Sequence, residues 1–196
     1  MSNITTTTNP NNLQMTLAGR SFFASAGSNT GTGITIPIYS TTTGVSFALW
    51  NPLGSNRILD LKVLTIGVAA TATPAITTLA LGVLLNTGGS AGAGLPISGW
   101  TDGVVYNGRF SKSTGQNVGR IGVATSNLSS ATTEFYNLGI SQATTSLAGG
   151  LVTLTYRFDD CLALDPGTMV HLVGTPLAPV ETAVVSLGWI EQDYVS

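Results

Sequence analysis

From about residue 44 onward the chain is written in short segments where apolar and polar residues alternate, separated by clusters of Gly, Pro, Asn and Ser. This pattern constrains the fold more than any other feature. A period of two sends successive side chains to opposite faces of a strand, and one polar face marks a half-buried antiparallel sheet. Val152, Leu154, Tyr156 and Phe158 make one face, with Thr153, Thr155 and Arg157 opposite. Leu59, Leu61 and Val63 are likewise expected on one face, with Asp60 and Lys62 on the other. The segments predicted as strands are 45–50, 57–68, 75–85, 103–110, 118–124, 133–140, 151–159, 168–173 and 182–191. No segment has a sustained helical period, and 126–148 is the one stretch with room for a short helix. This many strands with turn signals between them predict an all-β, antiparallel two-sheet sandwich of jelly-roll type over residues 41–196.

Residues 1–40 read differently. A Thr run (Thr5–Thr8), Asn9-Pro10-Asn11-Asn12 and the Gly/Ser/Thr stretch 26–33 cannot bury enough apolar surface to offset chain entropy. Leu13, Met15, Leu17, Phe22 and Phe23 are the exceptions, and two adjacent Phe residues have little use in a frayed tail. The segment is therefore expected to be an extended N-terminal arm whose five apolar residues contact a partner.

Composition narrows the function. Charged residues are 8% of the chain, against a usual share of roughly a quarter. The net charge of -2 leaves no basic surface for a phosphate backbone, so no nucleic-acid partner is expected. One Cys and one His exclude an intramolecular disulfide, a thiolate zinc site and a multi-His centre, and no cofactor is implied. The apolar stretch 58–85 is broken by Asp60, Lys62, Gly67, Pro74 and several Thr, so it reads as two strands and a turn and not a membrane span. The first residues lack the charge and apolar core of a signal peptide, so assembly in a cytoplasm with Cys161 reduced is expected. Mean hydropathy is +0.34. With so little charge, much of the surface is expected to be covered by other subunits, because Thr, Ser and Gly line contacts without the cost of burying charge.

The chemical motifs are weak. Gly88-Gly89-Ser90-Ala91-Gly92 fits the G-x-S-x-G pattern, but Gly92-Ala93-Gly94-Leu95-Pro96 is no helix start, so a flexible loop is the better reading. Asp159, Asp160 and Asp165 could offer oxygen ligands, yet Asp165-Pro166-Gly167 is a turn signature. His171 falls on the same strand face as Met169 and Val173, as a half-buried structural residue, and Cys161 reads as a small buried hydrophobe. The stretch 108–120 holds Arg109, Lys112 and Arg120 but lacks the order of a phosphate loop. Trp50, Trp100 and Trp189 read as core or interface aromatics. No catalytic residue emerges.

The turn Trp50-Asn51-Pro52-Leu53-Gly54-Ser55-Asn56-Arg57, the long strand 58–68, the segment Leu164-Asp165-Pro166-Gly167-Thr168-Met169 and the ending Ser186-Leu187-Gly188-Trp189-Ile190-Glu191 belong together. They resemble small structural proteins of tailed bacteriophages, particularly capsid cement or decoration proteins, over about residues 13 to 191. The resemblance implies a non-enzymatic virion protein on the capsid surface that staples neighbouring capsomers. Its partners would be the major capsid protein and further copies of itself, as a trimer. A receptor- or carbohydrate-binding tail-fibre head, with Trp100 and Tyr106 exposed, and a jelly-roll shell protein are the alternative readings.

Overall fold

A computed structural model describes residues 12–27, 34–35, 47–70, 75–84, 102–109, 117–123, 134–143, 152–159, 161–176 and 181–194. The elements are α1 (Asn12–Leu17), β1 (Ser21–Ala26), β2 (Ile34–Thr35), β3 (Ala48–Asn51), β4 (Arg57–Ala70), β5 (Ala75–Leu84) and β6 (Val105–Asn107). They continue with β7 (Arg120–Gly122), β8 (Glu134–Ala143), β9 (Val152–Arg157), β10 (Ala163–Leu164), β11 (Thr168–Pro176) and β12 (Glu181–Asp193).

The strands form two antiparallel sheets. The larger has the order β10-β4-β12-β1-β6, with β9 also on β4 and β2 also on β12. β9 pairs with Val63–Val68 and β10 with Leu59 and Asp60, so together they flank β4 on one side. The smaller sheet has the order β7-β3-β11-β5-β8. The chain changes sheet at most steps along the sequence, staying in one only from β1 to β2, β7 to β8 and β9 to β10.

The two inner faces meet in one core. Leu59, Leu61, Leu64, Ile66, Val185, Leu187 and Trp189 come from the larger sheet, and Leu49, Leu79, Leu81, Ile121, Val170 and Leu172 from the smaller. Each fully buried aliphatic side chain of this kind contributes about 1.5–3 kcal/mol relative to an exposed one. The inward set along β4 changes parity between Leu61 and Leu64. Opposite this point, Trp189 pairs with Leu61 and Gly188 with Val63, so Lys62 is the extra residue of a β-bulge. Val63 therefore faces outward, against the expectation of simple alternation. On β9 the alternation holds: Phe158 and the half-buried Leu154 and Tyr156 face the core, and Thr153, Thr155 and Arg157 are exposed.

The turn between β3 and β4 is organised by Asn51, which is fully buried. Its Nδ2 donates to Arg57 O and Leu164 O, both at 2.8 Å, and its Oδ1 accepts from Ser55 Oγ at 2.7 Å. One amide thus joins the turn to β10. At the Asp165 turn, Thr168 N–H donates to Asp165 O at 3.1 Å, as the Asp-Pro-Gly signature predicts.

Of the arm expected over residues 1–40, the stretch 12–26 is corrected. Residues 12–26 belong to the sandwich. β1 is an internal strand, paired to β12 from Ser21–Ile190 to Ala26–Val185 and to β6 at Phe22, Phe23 and Ala24. Phe22 points inward and stacks on Trp189 with ring centroids 5.9 Å apart. The apolar surface that the segment lacks by itself is supplied by β12. Residues 1–11, 28–33 and 36–40 lie outside the described residues.

α1 was not signalled by any periodicity, being only about a turn and a half long, with Leu13, Gln14, Met15 and Leu17 as its good helix formers. It stops at Gly19 (φ 75), where Gly19 N donates to Thr16 O and Arg20 N to Met15 O, a Schellman cap. Asn107 Nδ2 donates to Gly19 O and Arg109 Nη1 to Leu17 O, each at 2.7 Å, which ties the helix end to the end of β6 and the residues just after it.

Candidate functional site

The structure separates the five predicted contact residues. Met15 and Phe22 are buried and serve the fold. Leu13, Leu17 and Phe23 are 65%, 57% and 43% exposed. Leu13 and Leu17 are one helical turn apart and share a face of α1. Phe23 lies on the outer face of the larger sheet, paired with exposed Tyr106 on β6. Val104, two residues before Tyr106, is exposed as well.

Registry extends this face across the sheet. Tyr106, Phe23, Gly188, Val63 and Arg157 are successive partners on β6, β1, β12, β4 and β9. A Cβ at Gly188 would stand 2.7 Å from the Phe23 ring and 2.9 Å from Val63 Cγ1, so the Phe23 ring covers the bare backbone there. The next row is Ser25, Ser186, Thr65 and Thr155, with the two Thr hydroxyls 3.5 Å apart. Thr153 follows beyond them, paired to Gly67. Four strands thus present hydroxyls and no charge until Arg157. This face is made of aromatic rings, aliphatic tips and hydroxyls, and sequence reading missed it because its rows exist only after pairing.

The remaining chemical candidates do not converge. Among the described residues no group of three or more His, Cys, Asp and Glu could hold a metal ion. Cys161 is exposed, contrary to expectation, because it sits in the link between Phe158 and β10 and not on a strand face. His171 is fully buried, and burial lowers its pKa to about 4. Arg120 pairs with Asp102 at 2.6 Å and lies over the Trp50 ring, and Arg109 is held by Leu17 O, so neither forms a basic patch. Ser90, Trp100, Lys112 and Asp160 lie outside the described residues.

Glu191 is a buried acid that the sequence did not flag. Its carboxylate accepts from Val118 N at 2.9 Å, Gly119 N at 2.8 Å and Trp189 Nε1 at 3.3 Å. Burial nevertheless pushes its pKa up, outweighing these hydrogen bonds and the attraction of Arg57. The contact straps the β7 segment of one sheet to β12 of the other, a structural use of a buried acid.

No family model, no curated protein and no solved structure matches the chain.

Proposed function

We propose that the chain is a non-enzymatic structural protein of a bacteriophage virion, a decoration protein that docks on the assembled capsid through the outer face of its larger sheet and α1. The observation that carries the reading is that uncharged face, with Leu13, Leu17, Phe23, Val104 and Tyr106 exposed beside rows of Ser and Thr. Such a surface can be desolvated without stripping water from charges.

The strand order supports the jelly-roll form of the sandwich. Taken along the chain, β1, β3, β4, β5, β8, β9, β11 and β12 form quartets β1-β12-β4-β9 and β3-β11-β5-β8. In this reading the quartets follow the path of two Greek keys rolled together. β6 and β7 lie in the connection from β5 to β8 and add one edge to each sheet.

Five strand columns at ~4.8 Å and about five residues at ~3.3 Å make a projected face of roughly 400 Å². A standard interface takes about 800 Å² per partner. One subunit alone would therefore hold weakly, and a homo-oligomer, a trimer in this reading, gains stable attachment through effective concentration. Binding only the assembled lattice stabilises that lattice by mass action.

Light scattering after size exclusion and co-sedimentation with shells of the encoding phage test the reading. Wild type should be oligomeric and sediment with the shells. Leu13→Ser/Leu17→Ser with Tyr106→Ser should lose sedimentation and keep the thermal transition. A monomer that does not sediment, or a triple variant that sediments like wild type, overturns it. Deletion of residues 1–25 is not a usable test, because it removes β1 from inside the sheet.

A further inference from the structure

At the β9 corner of the outer face, on the edge opposite Tyr106, lies a cavity of about 380 Å³ lined by Asn12, Lys62, Val63, Arg157 and Asp159. That volume is within the range of small-molecule sites. The cations of this chain are few and mostly spent. Arg20 and Arg57 pair with Asp193, Arg120 with Asp102, and Lys62 with Asp60 at 2.5 Å. Arg109 is bonded to Leu17 O. Among the described residues Arg157 is the one cation with no ion pair or hydrogen bond, and it opens into this cavity. In a chain with so little charge, a guanidinium with no partner among the described residues, beside a cavity, is out of keeping with the rest of the described surface.

The lining is mixed in a specific way. The guanidinium of Arg157 offers a planar fork suited to a carboxylate. Asp159 offers two acceptor oxygens to hydroxyl groups, and its backbone is in the left-handed region (φ 41), a conformation that a non-glycine residue holds at a cost. Asn12 supplies an amide that both donates and accepts. Val63 supplies an apolar wall, facing outward only because Lys62 is the bulged residue. Lys62 adds an ammonium whose charge is already balanced by Asp60. With Asp159 opposing Arg157, the described lining has no large net charge, so an inorganic anion alone satisfies half of it. We propose that this cavity binds an acidic sugar, its carboxylate on Arg157, its hydroxyls shared by Asp159 and Asn12, and a C–H face on Val63. The proposal is independent of capsid docking and can be tested on the isolated protein.

Glucuronate, N-acetylneuraminate, glucose and acetate are titrated separately into the full-length ¹⁵N-labelled protein, and amide shifts around residues 62–63 and 157–159 are followed. The two acidic sugars should give saturable shifts confined to this corner. Arg157→Ala and Asp159→Asn should each weaken them by about tenfold or more. Arg157 and Asp159 are exposed, so both variants should keep the wild-type thermal transition. Glucose and acetate should bind at least about tenfold more weakly than glucuronate. Absent saturation by both acidic sugars, acetate binding as well as glucuronate, or acidic-sugar binding unchanged in Arg157→Ala each overturns the proposal.

Discussion

Replacing Asn51 tests whether one buried amide holds the β3–β4 turn and β10 together. Asn51→Ala deletes two donors and one acceptor and leaves Leu164 O, Arg57 O and Ser55 Oγ to find other partners. A buried polar group stranded in this way costs about 1–3 kcal/mol. Leu164 O is buried, whereas Arg57 O and Ser55 Oγ are partly exposed and recover water, so we expect a total of about 2–4 kcal/mol. At this chain length that lowers Tm by roughly 4–16 °C. Asn51→Asp is the sharper variant. It is nearly isosteric, yet it places an acceptor where two carbonyl oxygens stood 2.8 Å from the native donor. The introduced carboxyl therefore resists ionisation, and its folded-state pKa lies above its unfolded one. Its relative stability is greatest when protonated and falls as pH rises, so Asn51→Asp should be worse than Asn51→Ala at pH 7. It should recover on acidification toward ~4, the ordinary Asp range. Denaturant midpoints of the three proteins across pH decide the matter. An Asn51→Asp curve that parallels wild type would refute the assigned hydrogen-bond directions.

The buried titratable groups make a pair of opposed predictions. His171 has its pKa lowered from 6.5 to about 4, so the unfolded chain takes its proton first. Its contribution is present above 6.5 and is lost as pH falls toward 4, by up to about 3 kcal/mol, which an imidazole NMR titration and pH-dependent unfolding would measure. Glu191 has its pKa raised from 4.5 by burial, so its proton-linked stability is full below 4.5 and declines as pH rises through the folded value. Glu191→Gln should flatten that slope in urea midpoints, and Glu191→Ala should cost more because Val118 N, Gly119 N and Trp189 Nε1 then lose their acceptor. Gly188→Ala drives a methyl into Phe23 and Val63 and should cost about 1–3 kcal/mol, part of which Phe23→Ala recovers in a double-mutant cycle.

Among the described residues the sequence showed the strands after residue 47, the short β10 excepted; on β9, Thr153, Thr155 and Arg157 alternate with Leu154, Tyr156 and Phe158 without interruption. It also showed the turns at Asn51-Pro52 and Asp165-Pro166-Gly167, whose chemistry is local. What escaped it depends on distant partners. Phe22 and Phe23 read as an arm because nothing nearby in sequence pairs with them; their strand partner is β12, more than 160 residues away, which buries Phe22 against Trp189 and leaves Phe23 on the outer face. Lys62 reads as an ordinary polar alternate, and only the register against Gly188 and Trp189 reveals the bulge that turns Val63 outward. The uncharged outer face combines rows from β6, β1, β12, β4 and β9, and the Arg157 cavity draws on α1, β4 and β9; single-strand periodicity cannot assemble them.

The pairing of Ser21 with Ile190 has a consequence in time. Synthesis runs at about 5–20 residues per second, so β1, which has only the short β6 on its other side, waits roughly 10–30 s after emerging before β12 exists. β4 waits for the same strand, with Leu59, Leu61, Leu64 and Ile66 uncovered meanwhile. A topology closed by β12 holds the larger sheet open until that strand arrives, and the non-local pairing puts its folding in the slow, millisecond-to-second regime. Newly made chains therefore spend their early life as sticky, unpaired edges, and the cell must keep them apart for longer than the final folding step takes.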